Sequence, residues 1–102
     1  MRYICEVVKS GKKVPTRYYI DASHPNEAIR KSIMAFRKEH PDERRFSVFV
    51  VNENAEVWAS IVYKNTQDGK YYVKEHIKSS RRLPKDKFMI VQQGVFLADV
   101  LR

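Results

Sequence analysis

The residues best suited to chemistry are aromatic rings interleaved with cations: Trp58, then Tyr72, Lys74, His76 and Lys78 at alternate positions, then Arg81, Arg82, Lys85 and Lys87. Single-stranded nucleic acid calls for this mixture, because unpaired bases stack on ring faces for about 1–3 kcal/mol each while Lys and Arg neutralise phosphates. Sequence-specific duplex DNA is a poorer match, since no helix-turn-helix is readable. His76, between Lys74 and Lys78, could also act as a general acid or base on RNA, with Lys74 or Arg81 as its neighbouring cation. No Ser/Asp or paired-carboxylate partner accompanies it in the sequence, so a binding role is expected over catalysis.

Other chemistries find no footing. His24, His40 and His76 are not spaced with each other or with Cys5 as metal ligands, so neither a metal nor another cofactor is expected. Walker A, dinucleotide-fingerprint, zinc-ribbon and nucleophile-elbow patterns are missing, and three glycines are too few for the first two. The single cysteine excludes an internal disulfide and falls on an inferred core face, where a thiol is inert.

Strands and a helix must position these groups. Alternation at Tyr3, Cys5, Val7 and at Tyr18, Ile20, Ala22 predicts a hairpin. A turn at Gly11-Lys12 sets Glu6 opposite Arg17 and Arg2 opposite Asp21, while Tyr3 meets Ile20 and Cys5 meets Tyr18 on the other face. Ser23-His24-Pro25-Asn26-Glu27 opens a helix that Pro41 stops after about His40. Its core face is Ala28, Ile29, Ser32, Ile33, Ala35 and Phe36, and its far side carries a basic stripe, Arg30, Lys31, Arg37 and Lys38.

Phe46–Val51 and Val57–Tyr63 predict two more strands, and a turn at Glu53-Asn54 pairs Val50 with Val57, Val48 with Ala59 and Phe46 with Ile61. For the next strand, Tyr71–Ile77, a two-residue Asp68-Gly69 turn would set core residues against surface ones. A loop of three or five residues is expected instead, pairing Tyr63 with Tyr71 and Ile61 with Val73. This register gathers Ser47, Phe49, Val51, Trp58, Ser60, Val62, Lys64, Tyr72, Lys74, His76 and Lys78 on the face away from the helix. Residues 78–87 read as a basic loop. Phe88–Val91 resembles a strand, and Val95–Leu101 fits a strand or a short helix.

The fold class that results is α+β: one domain, 1–102, with an antiparallel sheet of five or more strands in the order β-β-α-β-β-β plus a C-terminal strand or short helix, and one helix packed on one face. From residue 25 onward, helix, three strands, basic loop and helix follow the element order of the double-stranded RNA-binding domain. The residues do not follow: where that family has a Gly-Pro-x-His loop this chain has Asn52-Glu53-Asn54-Ala55, and only Lys85-Asp86-Lys87 approximates its Lys-Lys-x-x-Lys cluster.

A charge of +8 over 102 residues favours anionic partners. The N-terminus reaches a charge too early for a signal peptide, and no apolar run approaches the roughly 20 residues that span a bilayer, so a cytoplasmic protein without membrane contact is expected. An apolar second face must be covered by the tail, a second copy or a ligand. The leading expectation is thus a non-catalytic binder of RNA or single-stranded DNA. The alternatives are a small regulator of the phage or mobile-element kind, docking on a protein partner or forming a homodimer through Phe49, Trp58 and Tyr72, and a small endoribonuclease using His76.

Overall fold

The computed structural model describes residues 1–9 and 14–101, the side chains of residues 74–81 excepted. Strands β1 (Arg2–Lys9), β2 (Thr16–Asp21), β3 (Arg45–Val51), β4 (Glu56–Lys64) and β5 (Tyr71–Arg82) form a five-stranded sheet in the order β2-β1-β3-β4-β5, and every neighbouring pair is antiparallel. Helix α1 (Pro25–Glu39) lies on one face, and helices α2 (Lys85–Gln92) and α3 (Leu97–Val100) follow β5. The fold is therefore α+β, as the sequence predicts.

The first hairpin has the expected register, with Arg2 opposite Asp21, Tyr3 opposite Ile20, Cys5 opposite Tyr18 and Glu6 opposite Arg17. The turn expected at Gly11-Lys12 lies outside the described residues. His24 caps α1, its Nδ1 accepting from the Glu27 amide at 3.2 Å, and Pro25 occupies the first turn, where its missing N–H costs nothing. Ala28, Ile29, Ser32, Ile33 and Phe36 are buried against Tyr3, Cys5, Val7, Phe46, Val48, Val50 and Val62.

Between β3 and β4 the register is one residue away from expectation: Val50 pairs with Trp58, Val48 with Ser60 and Phe46 with Val62. The cause is a three-residue loop, Glu53-Asn54-Ala55, closed by Asn52 and Glu56. Ala55 adopts φ 63°, the left-handed step that follows a type I turn in such loops. Asn52 Oδ1 holds it by accepting from the amides of Asn54 (3.0 Å) and Glu56 (2.9 Å). One residue of slip exchanges the faces of a strand. Trp58, Ser60 and Val62 thus belong to the α1 side, and Val57, Ala59, Ile61 and Tyr63 to the other.

The loop before β5 is neither of two nor of three or five residues: the Asn65 amide donates to Lys70 O at 2.8 Å, enclosing Thr66-Gln67-Asp68-Gly69. Lys64 then pairs with Tyr71, Tyr63 with Tyr72 and Val62 with Val73, after which irregularities in β5 shift the register to Ile61–Glu75, Ala59–Ile77 and Val57–Arg81. β5 continues to Arg82, through residues expected to be loop.

Phe88–Val91 is helical instead of extended. Pro84 and Asp86 begin α2, Phe88 and Val91 turn toward the sheet, and Gly94, with φ 117°, ends the segment. The tail from Leu83 onward buries Val91 and Leu97 with Val51, Ala55 and Val57, flanked by Ile4, Phe49, Phe88, Val100 and Leu101. The sheet is covered by α1 on one face and, over half its extent, by the tail on the other. Among the described residues no helix is long and apolar enough to cross a membrane.

Candidate nucleic-acid interface

The second face divides in two. In the half nearer the Asn52–Ala55 turn, Glu6 is completely buried, and its Oε2 accepts from Arg17 Nη2 at 2.7 Å. The same carboxylate accepts from the amides of Leu97 (2.6 Å) and Ala98 (3.2 Å), groups that open α3 and have no partner within that helix. Arg17 donates in turn to Val91 O at 2.7 Å and Val95 O at 2.5 Å, and its guanidinium lies 5.8 Å from the Phe96 ring centre. One buried ion pair between neighbouring strands thereby fastens both ends of the α2–α3 connection. The apolar residues Phe49 and Val51 are covered here by the tail, one of the three coverings the sequence allowed.

The other half is open. By register it carries Arg45 and Ser47 on β3, Ile61 and Tyr63 on β4, and Tyr72 on β5. The rings of Tyr63 and Tyr72 stack with centroids 5.9 Å apart at 29°, and they remain 36% and 40% exposed. The Tyr72 hydroxyl donates to Asp68 Oδ2 at 2.6 Å, while Asp68 Oδ1 accepts from the Lys70 amide at 2.9 Å. The bond to Asp68 raises the Tyr72 pKa above its ordinary value, and the same hydroxyl lowers that of Asp68. It also sets the direction of the Tyr72 ring. Arg45, exposed and directly opposite Tyr63, makes no ion pair or side-chain hydrogen bond among the described residues, and exposed Lys70 flanks the pair from the turn.

Trp58 does not join this surface. It is half-buried on the α1 side, edge-on to Tyr3 with centroids 6.5 Å apart at 61°. Tyr72 is on the second face as expected, but its partner there is Tyr63, which the expected register assigned to the core. An Asn at the head of the β3–β4 turn was the one local signal for a type I turn and hence for the corrected register. Arg82, Lys85 and Lys87 are exposed at the end of β5 and the start of α2, toward the clasped half. Lys74, His76, Lys78 and Arg81 have side chains outside the described residues, with the His76 backbone opposite Ser60 and that of Arg81 opposite Val57. The α1 stripe, Arg30, Lys31, Arg37 and Lys38, is exposed on the opposite side of the molecule, and Lys31 is tied to Glu27 at 3.2 Å and to Asp21 O at 2.8 Å.

Among the described residues no group of His, Cys, Asp and Glu could hold a metal ion. No family model, no curated protein and no solved structure matches this chain, so its reading rests on its own residues.

Proposed function

We propose that the protein binds single-stranded nucleic acid, RNA or single-stranded DNA, on the open half of its second sheet face, without catalysing a reaction on it. The observation that carries this reading is the exposed, stacked Tyr63–Tyr72 pair with an uncommitted Arg45 beside it. Duplex bases are already stacked on one another, so exposed ring faces favour unpaired bases. Arg45, opposite Tyr63, and Lys70, in the β4–β5 turn, are exposed cations beside the rings and available to phosphates, whereas exposed Arg82, Lys85 and Lys87 lie at the other end of β5. The net charge of +8 strengthens the attraction at a distance.

The test is a titration with a short labelled single strand at two salt concentrations. Tyr63→Ala and Tyr72→Ala should each weaken binding by roughly 5- to 100-fold, while Arg45→Gln should flatten the salt dependence by about one phosphate contact. Unchanged affinity in all three variants would remove this surface. A second reading, a protein partner or second copy, draws on the tail's outer side, where Met89 (50%), Ile90 (40%) and Val95 (41%) are exposed and the Val95 amide donates to Ile90 O at 2.9 Å. Concentration-dependent association lost on Ile90→Lys, with nucleic-acid binding absent, would favour it.

A further inference from the structure

The two edges of the sheet are unlike. β5 carries Lys74, Lys78, Arg81 and Arg82 and breaks register twice against β4, and charges and bulges of this kind discourage a further strand from pairing. β2, Thr16-Arg17-Tyr18-Tyr19-Ile20-Asp21, has neither Lys nor Pro and keeps one unbroken register with β1. Its ladder fixes which peptide groups face outward. The Ala22 amide donates to Met1 O at 2.9 Å, so the alternation of an antiparallel pair turns Ile20, Tyr18 and Thr16 toward β1 and Arg17, Tyr19 and Asp21 away from it. Lys31 Nζ on α1 accordingly reaches Asp21 O from outside the ladder, at 2.8 Å. The outward N–H and C=O groups of Arg17 and Tyr19 have no strand beside them among the described residues.

We propose that a second copy of this chain occupies this edge, β2 against β2 in antiparallel order about a twofold axis at Tyr18, so that the two sheets become one. The edge is complementary to itself in this register. With Tyr18 facing its own copy, Arg17 pairs with the partner's Tyr19 and Tyr19 with the partner's Arg17, each pair exchanging both N–H···O bonds through groups that β1 leaves over. Asp21 falls opposite Pro15. Asp21 O already accepts from Lys31, and proline has no N–H to offer it. A register with Tyr19 on the axis would instead present the Arg17 amide to that occupied carbonyl. The seam is apolar on both sides. Half-buried Tyr18 and Ile20 extend the core on the α1 side, and on the other side Tyr19, 62% exposed, meets the partner's Arg17, whose guanidinium lies 5.8 Å from the Phe96 ring centre. A six-residue seam is smaller than a standard interface, so association is micromolar or weaker. Two copies of charge +8 repel each other, so salt strengthens it.

The experiment is sedimentation equilibrium of the full chain from about 10 µM to about 1 mM, at low and at moderate salt. The expected result is a mass that climbs from monomer to dimer, more readily at moderate salt. Tyr19→Pro should weaken the association by about tenfold or more while keeping the native circular dichroism and melting temperature, because the amide it removes faces outward and serves no bond to β1. Should that variant fail to fold, Tyr19→Lys places a charge on the same exposed position and should show the same loss. The axis is tested in a Cys5→Ala chain, where Tyr18→Cys should crosslink to its own copy under mild oxidation faster than Tyr19→Cys, the axial Cα atoms being about 4.5 Å apart. Equal or reversed crosslinking would overturn the register. A dimer indifferent to both Tyr19 variants, or lost in Ile90→Lys instead, would place the contact elsewhere and overturn the proposal. So would a chain still monomeric at about 1 mM, which would leave the β2 edge to a foreign peptide.

Discussion

The two halves of the second sheet face are built from the same kinds of residue, rings and charges on neighbouring strands, yet they differ in how those groups are satisfied. In the clasped half, Glu6 and Arg17 are desolvated and matched to each other and to four backbone groups of the tail. In the open half, Arg45 is solvated and uncommitted, and the stacked tyrosines remain partly exposed. A buried pair with most of its donors and acceptors matched, only the buried Arg17 Nε lacking a partner among the described residues, is costly to break, whereas an exposed cation beside a ring contributes little to stability. What the second arrangement leaves over is binding capacity.

Breaking the clasp should produce the largest effect. Glu6→Ala strands the Arg17 guanidinium and two α3 amides in the interior, and should cost about 3–5 kcal/mol in a denaturant titration. A loss below about 1 kcal/mol would mean that apolar contacts alone hold the tail. The same substitution should leave single-strand affinity nearly unchanged at temperatures where the variant remains folded.

Trp58 and Tyr63 sharpen the contrast, since adjacent registers place them on opposite faces. Trp58→Ala, emptying a half-buried site beside Tyr3, should lower stability by about 2 kcal/mol and spare nucleic-acid binding, and the native tryptophan emission should be blue-shifted relative to the unfolded chain. Tyr63→Ala should do the reverse. Weakened binding in Trp58→Ala without a change in stability would return that ring to the interface.

On the α1 side, burial pushes the Cys5 thiol from its ordinary 9.0 up to about 12. The folded thiol stays protonated while the unfolded one ionises, so its contribution is fully present below about pH 9 and is lost as pH rises toward 12. At pH 10 this amounts to about 1 kcal/mol relative to pH 8. Comparing melts of the native chain and Cys5→Ala at the two pH values isolates it, and an identical pH slope in both would refute the burial argument.

The smallest effect concerns the turn that determines which face each β4 residue occupies. Ala55→Gly should raise stability by about 0.5 kcal/mol, because glycine adopts φ 63° without the Cβ clash, less the loss of a buried methyl. A marked destabilisation would argue against the left-handed conformation, and with it against the register that exposes Tyr63.

The sequence alone determined the features whose causes are local or symmetric across one turn. The β1–β2 register was legible because a single pairing satisfies two opposite-charge pairs and the apolar face together, and α1 was legible because His24, Pro25 and Pro41 mark its ends while its apolar spacing marks its face. The β3–β4 register was not, because Ala55 takes a glycine-like conformation without being glycine, and Phe88–Val91 has no period by which a buried strand and a helical turn differ. The open tyrosine pair followed the first of these errors, since it depends on which side of β4 faces the helix. Only the tertiary structure decided that Glu6 would be buried: its partners at Leu97 and Ala98 stand 91 and 92 residues away. A carboxylate enters the interior only where donors from distant segments converge on it, and nothing in its own neighbourhood of the chain records that convergence.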